Sequence, residues 1–130
     1  MNIKYMNLKR SIEGLQKIQF IKLPIKTVLD ISKKIDVIEN QLNIYSKSID
    51  AINKQYFPYD NDWNIIYEDD DQTLVKIDDM DSYNKAIDEL NNTIVELDLE
   101  QIEVKLDDRN FDIYFTINDI KNIEWLIKFI

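Results

Sequence analysis

The chain has 130 residues, 45% of them apolar and 32% charged, with a formal net charge of −9 and neither cysteine nor histidine. Without cysteine there is no disulfide scaffold, thiolate zinc site or cysteine nucleophile, and without histidine the commonest general base and transition-metal ligand are missing. The single glycine, Gly14, rules out a glycine-rich phosphate cradle.

Residues 2–6 alternate weakly and predict a short strand. Asn7 is placed to cap a short helix whose face is Leu8, Ile12, Leu15 and Ile18. Pro24 then breaks the pattern and opens a long helix over 24–56. Val28, Ile31, Ile35, Ile38, Leu42, Tyr45, Ile49, Ile52 and Tyr56 keep a 3,4 rhythm along it, the seam of a coiled coil. Such a helix is roughly 48 Å long. A compact domain of this size has a radius of gyration of about 14 Å, so an elongated molecule is expected. A second stripe, Val37, Ile44 and Ala51, predicts a further packing partner on that side.

Phe57-Pro58-Tyr59 ends the long helix. Residues 57–78 read as a tip insertion, a small β-hairpin of 63–67 and 73–77 around Glu68-Asp69-Asp70-Asp71-Gln72. Asp78 or Asp79 caps a second seam helix over 80–97, carrying Met80, Tyr83, Ile87, Leu90, Ile94 and Leu97. Residues 102–106 and 111–115 alternate as a second hairpin, with residues 2–6 as a candidate third strand. Thr116 to Asp119 resembles a capping box for a last helix with Ile120, Ile123, Leu126 or Ile127, and Ile130 on its face. The expected fold is mostly helical α+β, one elongated domain over 1–130. A coiled-coil hairpin arm (24–56 and 80–97) carries the tip, above a small β/α base of 1–23 and 98–130.

No run of about 18 apolar residues occurs and the N-terminus opens no stretch of signal-peptide length, so a soluble, cytoplasmic protein without a membrane partner is expected. Charge is uneven. Residues 1–56 hold ten basic against five acidic residues, a balance of +5, and residues 57–130 hold six against twenty, a balance of −14. The acidic surplus argues against direct nucleic-acid binding and suits a protein partner with a basic surface; the same charge would also serve solubility alone. A homodimer stays open.

Asp60, Asp62 and Asn64 fall at positions 1, 3 and 5 of a calcium-loop pattern. Ile65 stands where that loop needs glycine and Asp71 where it needs glutamate, which favours a plain Asp/Asn turn. No serine has a histidine to activate it, and no carboxylate pair stands out for acid/base work. No catalysis, cofactor or metal is therefore expected. The candidate partner-binding residues are Trp63 and Tyr67 as aromatic anchors and Glu68, Asp69, Asp70 and Asp71 as acidic contacts.

The segments Met1-Asn2-Ile3-Lys4, Leu23-Pro24-Ile25-Lys26-Thr27, Gln55-Tyr56, Met80-Asp81-Ser82-Tyr83-Asn84-Lys85 and Val95-Glu96-Leu97 carry a resemblance. Together they look like a family of small uncharacterised bacteriophage and prophage proteins. Members often have a glycine-containing turn after the long helix, where this chain has Phe57-Pro58-Tyr59. The resemblance implies a phage origin, and with it the bacterial host cytoplasm, but no activity or catalytic residue. Taken with the small size, the negative charge and the missing catalytic groups, it leads to the expectation of a non-catalytic binding protein, an inhibitor of a host factor such as a nucleic-acid-directed defence enzyme. The alternative is a tail or capsid assembly protein or chaperone.

Overall fold

The computed structural model describes residues 1–105 and 114–130, and it is a mostly helical α+β protein. The chain runs β1 (Asn2–Lys4), α1 (Tyr5–Arg10), α2 (Ile12–Ile18), α3 (Ile25–Tyr56), α4 (Met80–Asn91), β2 (Ile94–Glu96), β3 (Ile102–Val104), α5 (Ile117–Ile123) and β4 (Ile127–Phe129). It divides into two compact units, Met1–Leu42 with Ile94–Ile130, and Asn43–Thr93.

The long helix α3 spans 32 residues and starts directly after Pro24, whose carbonyl accepts from Val28 N at 3.0 Å. Proline favours this position because its fixed φ suits the first turn and its missing N–H costs nothing there. Of the α3 residues that keep the predicted 3,4 rhythm, Ile31, Ile38 and Tyr45 are buried, seven apart, but no coiled-coil hairpin is seen among the described residues. Ile35, Leu42, Ile49 and Ile52 are half-buried and Val28 is exposed. The predicted second stripe finds no cover among the described residues: Val37, Ile44 and Ala51 are all exposed.

In the first unit, β1 pairs antiparallel with β2, Ile3 opposite Val95, and β3 pairs parallel with β4, Ile102 opposite Ile127. Leu8, Leu15, Ile18, Ile38, Val104, Ile123, Leu126 and Ile127 form its fully buried core. Asn7 does not cap the first helix but lies inside α1, because the extended residue before the helix is Lys4. The break falls at Ser11, which is fully buried and turns its hydroxyl back onto Leu8 O at 2.6 Å. That bond meets the cost of burying a polar group.

Two helices are shorter than the sequence suggests. α4 ends at Asn91, not 97, and residues 94–96 go into the β1 ladder. Thr93, Ile94 and Val95 are β-branched and fit a pleated strand at least as well as a helix. Ile94 in the strand faces solvent, and Leu97 just beyond it is buried, its N–H donating to Met1 O at 2.8 Å. Likewise α5 stops at Ile123, and 127–129 form β4. β1 pairs with β2, not with 102–106, and β3 takes β4 as its neighbour. The turn and most of the second strand of the predicted hairpin over 102–115 lie outside the described residues.

α2 and α5 approach closely at Gly14. A Cβ there would sit 2.7 Å from Ile123 Cγ2 and 3.0 Å from the Asp119 carbonyl, so glycine is required by space. One turn on, Lys17 donates to the carboxylate of buried Asp119. That carboxylate also accepts from Thr116 N at 2.9 Å, while Thr116 Oγ1 accepts from Asp119 N at 3.0 Å, completing the predicted capping box. The Lys17 bond, then the Thr116 N–H, hold the Asp119 carboxyl below the ordinary aspartate range.

In the second unit, Asp79 caps α4 by accepting from Ser82 N at 3.2 Å, and Asp81 lies in the first turn, as its helix dipole favours. Tyr45 donates to Asn91 and Tyr83 donates to Asn53, so α4 runs antiparallel to this part of α3. Tyr83 also packs its ring against Tyr56 and Phe57, with centroids 6.0 and 5.9 Å apart.

Candidate partner-binding site

Between α3 and α4 the chain makes two tight loops in succession. The predicted hairpin of 63–67 and 73–77 is reduced to a single bridge, Tyr67 opposite Val75, and a second bridge joins Tyr59 to Ile65. Ile66 is bonded on both sides: its N–H donates to Pro58 O at 3.0 Å and its carbonyl accepts from Lys76 N at 3.1 Å. Alternation marked the extended segments, but it could not show that turn chemistry would use most of the residues.

Each loop is organised by one aspartate. Asp60 Oδ1 accepts from Asp62 N and Asn64 N, both at 2.9 Å. This is the plain Asp/Asn turn: the first residue of the broken calcium-loop pattern gives its carboxylate to backbone N–H groups. Nine residues later, Asp69 accepts from Thr73 N at 3.0 Å, from Leu74 N at 2.9 Å and from the Thr73 hydroxyl. These bonds, the hydroxyl first, hold the Asp69 carboxyl below the ordinary aspartate range. In each loop the third residue after the aspartate takes a left-handed backbone, Trp63 at φ 63° and Gln72 at φ 57°.

The proposed contact residues therefore divide. Trp63 is 82% exposed, tilted against Tyr59 with ring centroids 6.3 Å apart. Glu68, Asp70 and Asp71 are exposed, and Leu74 adds apolar surface at 59% exposure. Tyr67 is half-buried in its bridge. Asp69, also half-buried, spends its carboxylate inside the loop and is a structural residue. Sequence reasoning missed this division because four adjacent acids look alike. The signal is the Asp69-to-Thr73 spacing, which lets one carboxylate reach both the N–H and the hydroxyl of the same threonine.

A left-handed backbone at a bulky residue costs energy, on the order of 1–2 kcal/mol, and the loop hydrogen bonds hold it in place. The Trp63 ring is thus an exposed apolar surface on a backbone tied to the loop, its backbone N–H donating to Asp60 O at 3.1 Å. Among the described residues no group of three or more acidic side chains is placed to hold a metal ion. No described helix is long and apolar enough to cross a membrane. No protein family, curated protein or solved structure matches the chain.

Proposed function

We propose that this protein works by binding another protein through the tip that follows α3, with Trp63 as the anchor and Glu68, Asp70 and Asp71 as the electrostatic rim. The observation that carries this reading is Trp63 itself: a large aromatic side chain, almost fully exposed, on a backbone that most residues avoid. Aromatic anchors supply much of the energy of protein interfaces, and rim charges mainly set the association rate. The −14 balance of residues 57–130 favours a basic partner surface. Enzymes that act on nucleic acid carry such surfaces, so the inhibitor of a host nucleic-acid enzyme is the form of this function we favour. In this reading α3 and α4 act as a coiled-coil arm that carries the tip.

The test is capture of basic proteins from a bacterial lysate by the immobilised full chain, followed by affinity and rate measurements on the purified partner. The expected result is a basic partner whose dissociation speeds up in Trp63→Ala. Its association should slow in the triple variant Glu68→Gln, Asp70→Asn, Asp71→Asn, and slow further with salt in the wild type. A partner whose binding ignores both changes and the salt would overturn the tip as the contact.

A further inference from the structure

We propose that a groove in the first unit binds small aliphatic amines. A cavity of about 290 Å³ opens between the segment 18–23 and the first half of α3. Its walls are aliphatic: Ile18, Ile21, Leu23, Val28, Ile31 and Ile35. Its polar lining is Gln19, Ser32, Asp36 and Glu39, with two carboxylates and no basic side chain. Ser32, Asp36 and Glu39 follow a 4,3 spacing and share one face of α3, so an acidic rail runs beside the aliphatic wall. The ion pairs among the described residues, Lys17–Asp119 and Lys34–Asp30, leave Asp36 and Glu39 uncommitted.

Size and charge together select the ligand. The cavity lies at the lower edge of ordinary ligand pockets, which begin near about 300 Å³, so a drug-sized molecule does not fit. An engineered apolar cavity of about 150 Å³ takes benzene, so this one holds a linear chain of about six to eight carbons. A fatty acid would bring its carboxylate against two others. A neutral alcohol would gain the wall alone. An alkylammonium gains the wall for its chain and the rail for its charge, as lysine side chains do when they lie along apolar surface. This site does not depend on the tip.

The experiment titrates the full chain at low salt with hexylamine, hexanol and hexanoate, followed by NMR shifts of the cavity residues. Hexylamine should bind saturably and most tightly, hexanoate least. Each exposed carboxylate contributes about 1.4- to 5-fold, so Asp36→Asn with Glu39→Gln should bring hexylamine down to the level of hexanol. Val28→Phe should close the mouth and remove binding; Val28 is 41% exposed, so the larger ring leaves the buried core undisturbed. No saturable binding of hexylamine, equal affinity for all three probes, or unchanged binding in Val28→Phe would each overturn the proposal.

Discussion

Tyr45 donates to Asn91 at 2.6 Å, and eight residues further along α3, Asn53 accepts from Tyr83, eight residues back along α4, at 2.9 Å. Equal steps in opposite directions mean that the two helices keep one register between these points. Each tyrosine hydroxyl is directional, so the pair fixes that register more sharply than apolar contact would. A net contribution of about 0.5–1.5 kcal/mol is usual for such a bond. Tyr45→Phe and Tyr83→Phe should each lower stability by about that amount. The sites are about 12 Å apart along the helix, so the double variant should be close to additive. Urea denaturation of the three variants measures this.

Ile38 is fully buried, whereas Leu42, one turn on, is only half-buried. Ile38→Ala should therefore cost about 2–5 kcal/mol, and Leu42→Ala distinctly less. The same denaturation series ranks them. Equal costs would show that the packing of α3 is not weighted toward its buried positions Ile31, Ile38 and Tyr45.

Gly14→Ala reverses the usual helix rule. In an open helix alanine is better than glycine by about 0.8–1.0 kcal/mol. Here the new methyl meets Ile123 Cγ2 and the Asp119 carbonyl. Overpacking of this kind costs about 1–3 kcal/mol, so the variant should lose stability. Ile123→Leu removes the offending branch at Cβ and should recover part of the loss, which a double-mutant cycle would register as coupling.

Asp119, Asp79 and Asp69 have carboxyls held below the ordinary range by hydrogen bonds. A depressed folded-state pKa adds stability that is present above the unfolded value, about 3.9, and is lost as pH falls through the folded value. Melting temperature should therefore hold at neutral pH and fall below about pH 4. Asp119→Asn should melt lower than wild type at pH 7 and show a shallower acid-side decline. Parallel melting curves across pH 7 to 3 would count against the Lys17–Asp119 pair as a contributor.

Asp69 and Asp70 are neighbours with different work. Asp69→Ala should expose the Thr73 and Leu74 amides to faster hydrogen exchange, because both donate to its carboxylate. Asp70→Asn should leave those rates unchanged. NMR hydrogen exchange on the two variants separates a loop organiser from a surface charge.

Much of the helical frame was legible in the residues. The start of α3 after Pro24, its end at Tyr56, the Asp79 cap and the Thr116–Asp119 box follow from local chemistry that needs no tertiary information. The ends of α4 and α5 were not legible. Ile94 and Leu97 satisfy a 3,4 rhythm, but pairing with Asn2–Lys4 captured this segment, and no local pattern announces a partner over ninety residues away. The parallel pairing of β3 with β4 is hidden for the same reason. At the tip, the aromatic cluster and the turn-forming acids could be read, but not that Trp63 would stand exposed and not close a small core, nor which acid would point inward, since both depend on how the loops fold.

The chain owns one glycine and spends it inside an ordinary helix, where only the room beside Ile123 matters. Among the described residues, both left-handed positions go to residues that gain nothing from that geometry, Trp63 and Gln72. These two loops therefore form a natural matched pair for protein engineering. At Gln72 a glycine would relax the backbone and leave the aromatic anchor untouched. At Trp63 the same change would relax the backbone by deleting the anchor itself. Gln72 is thus a position where this protein has stability in reserve, and Trp63 one where stability and exposed aromatic surface are exchanged for each other.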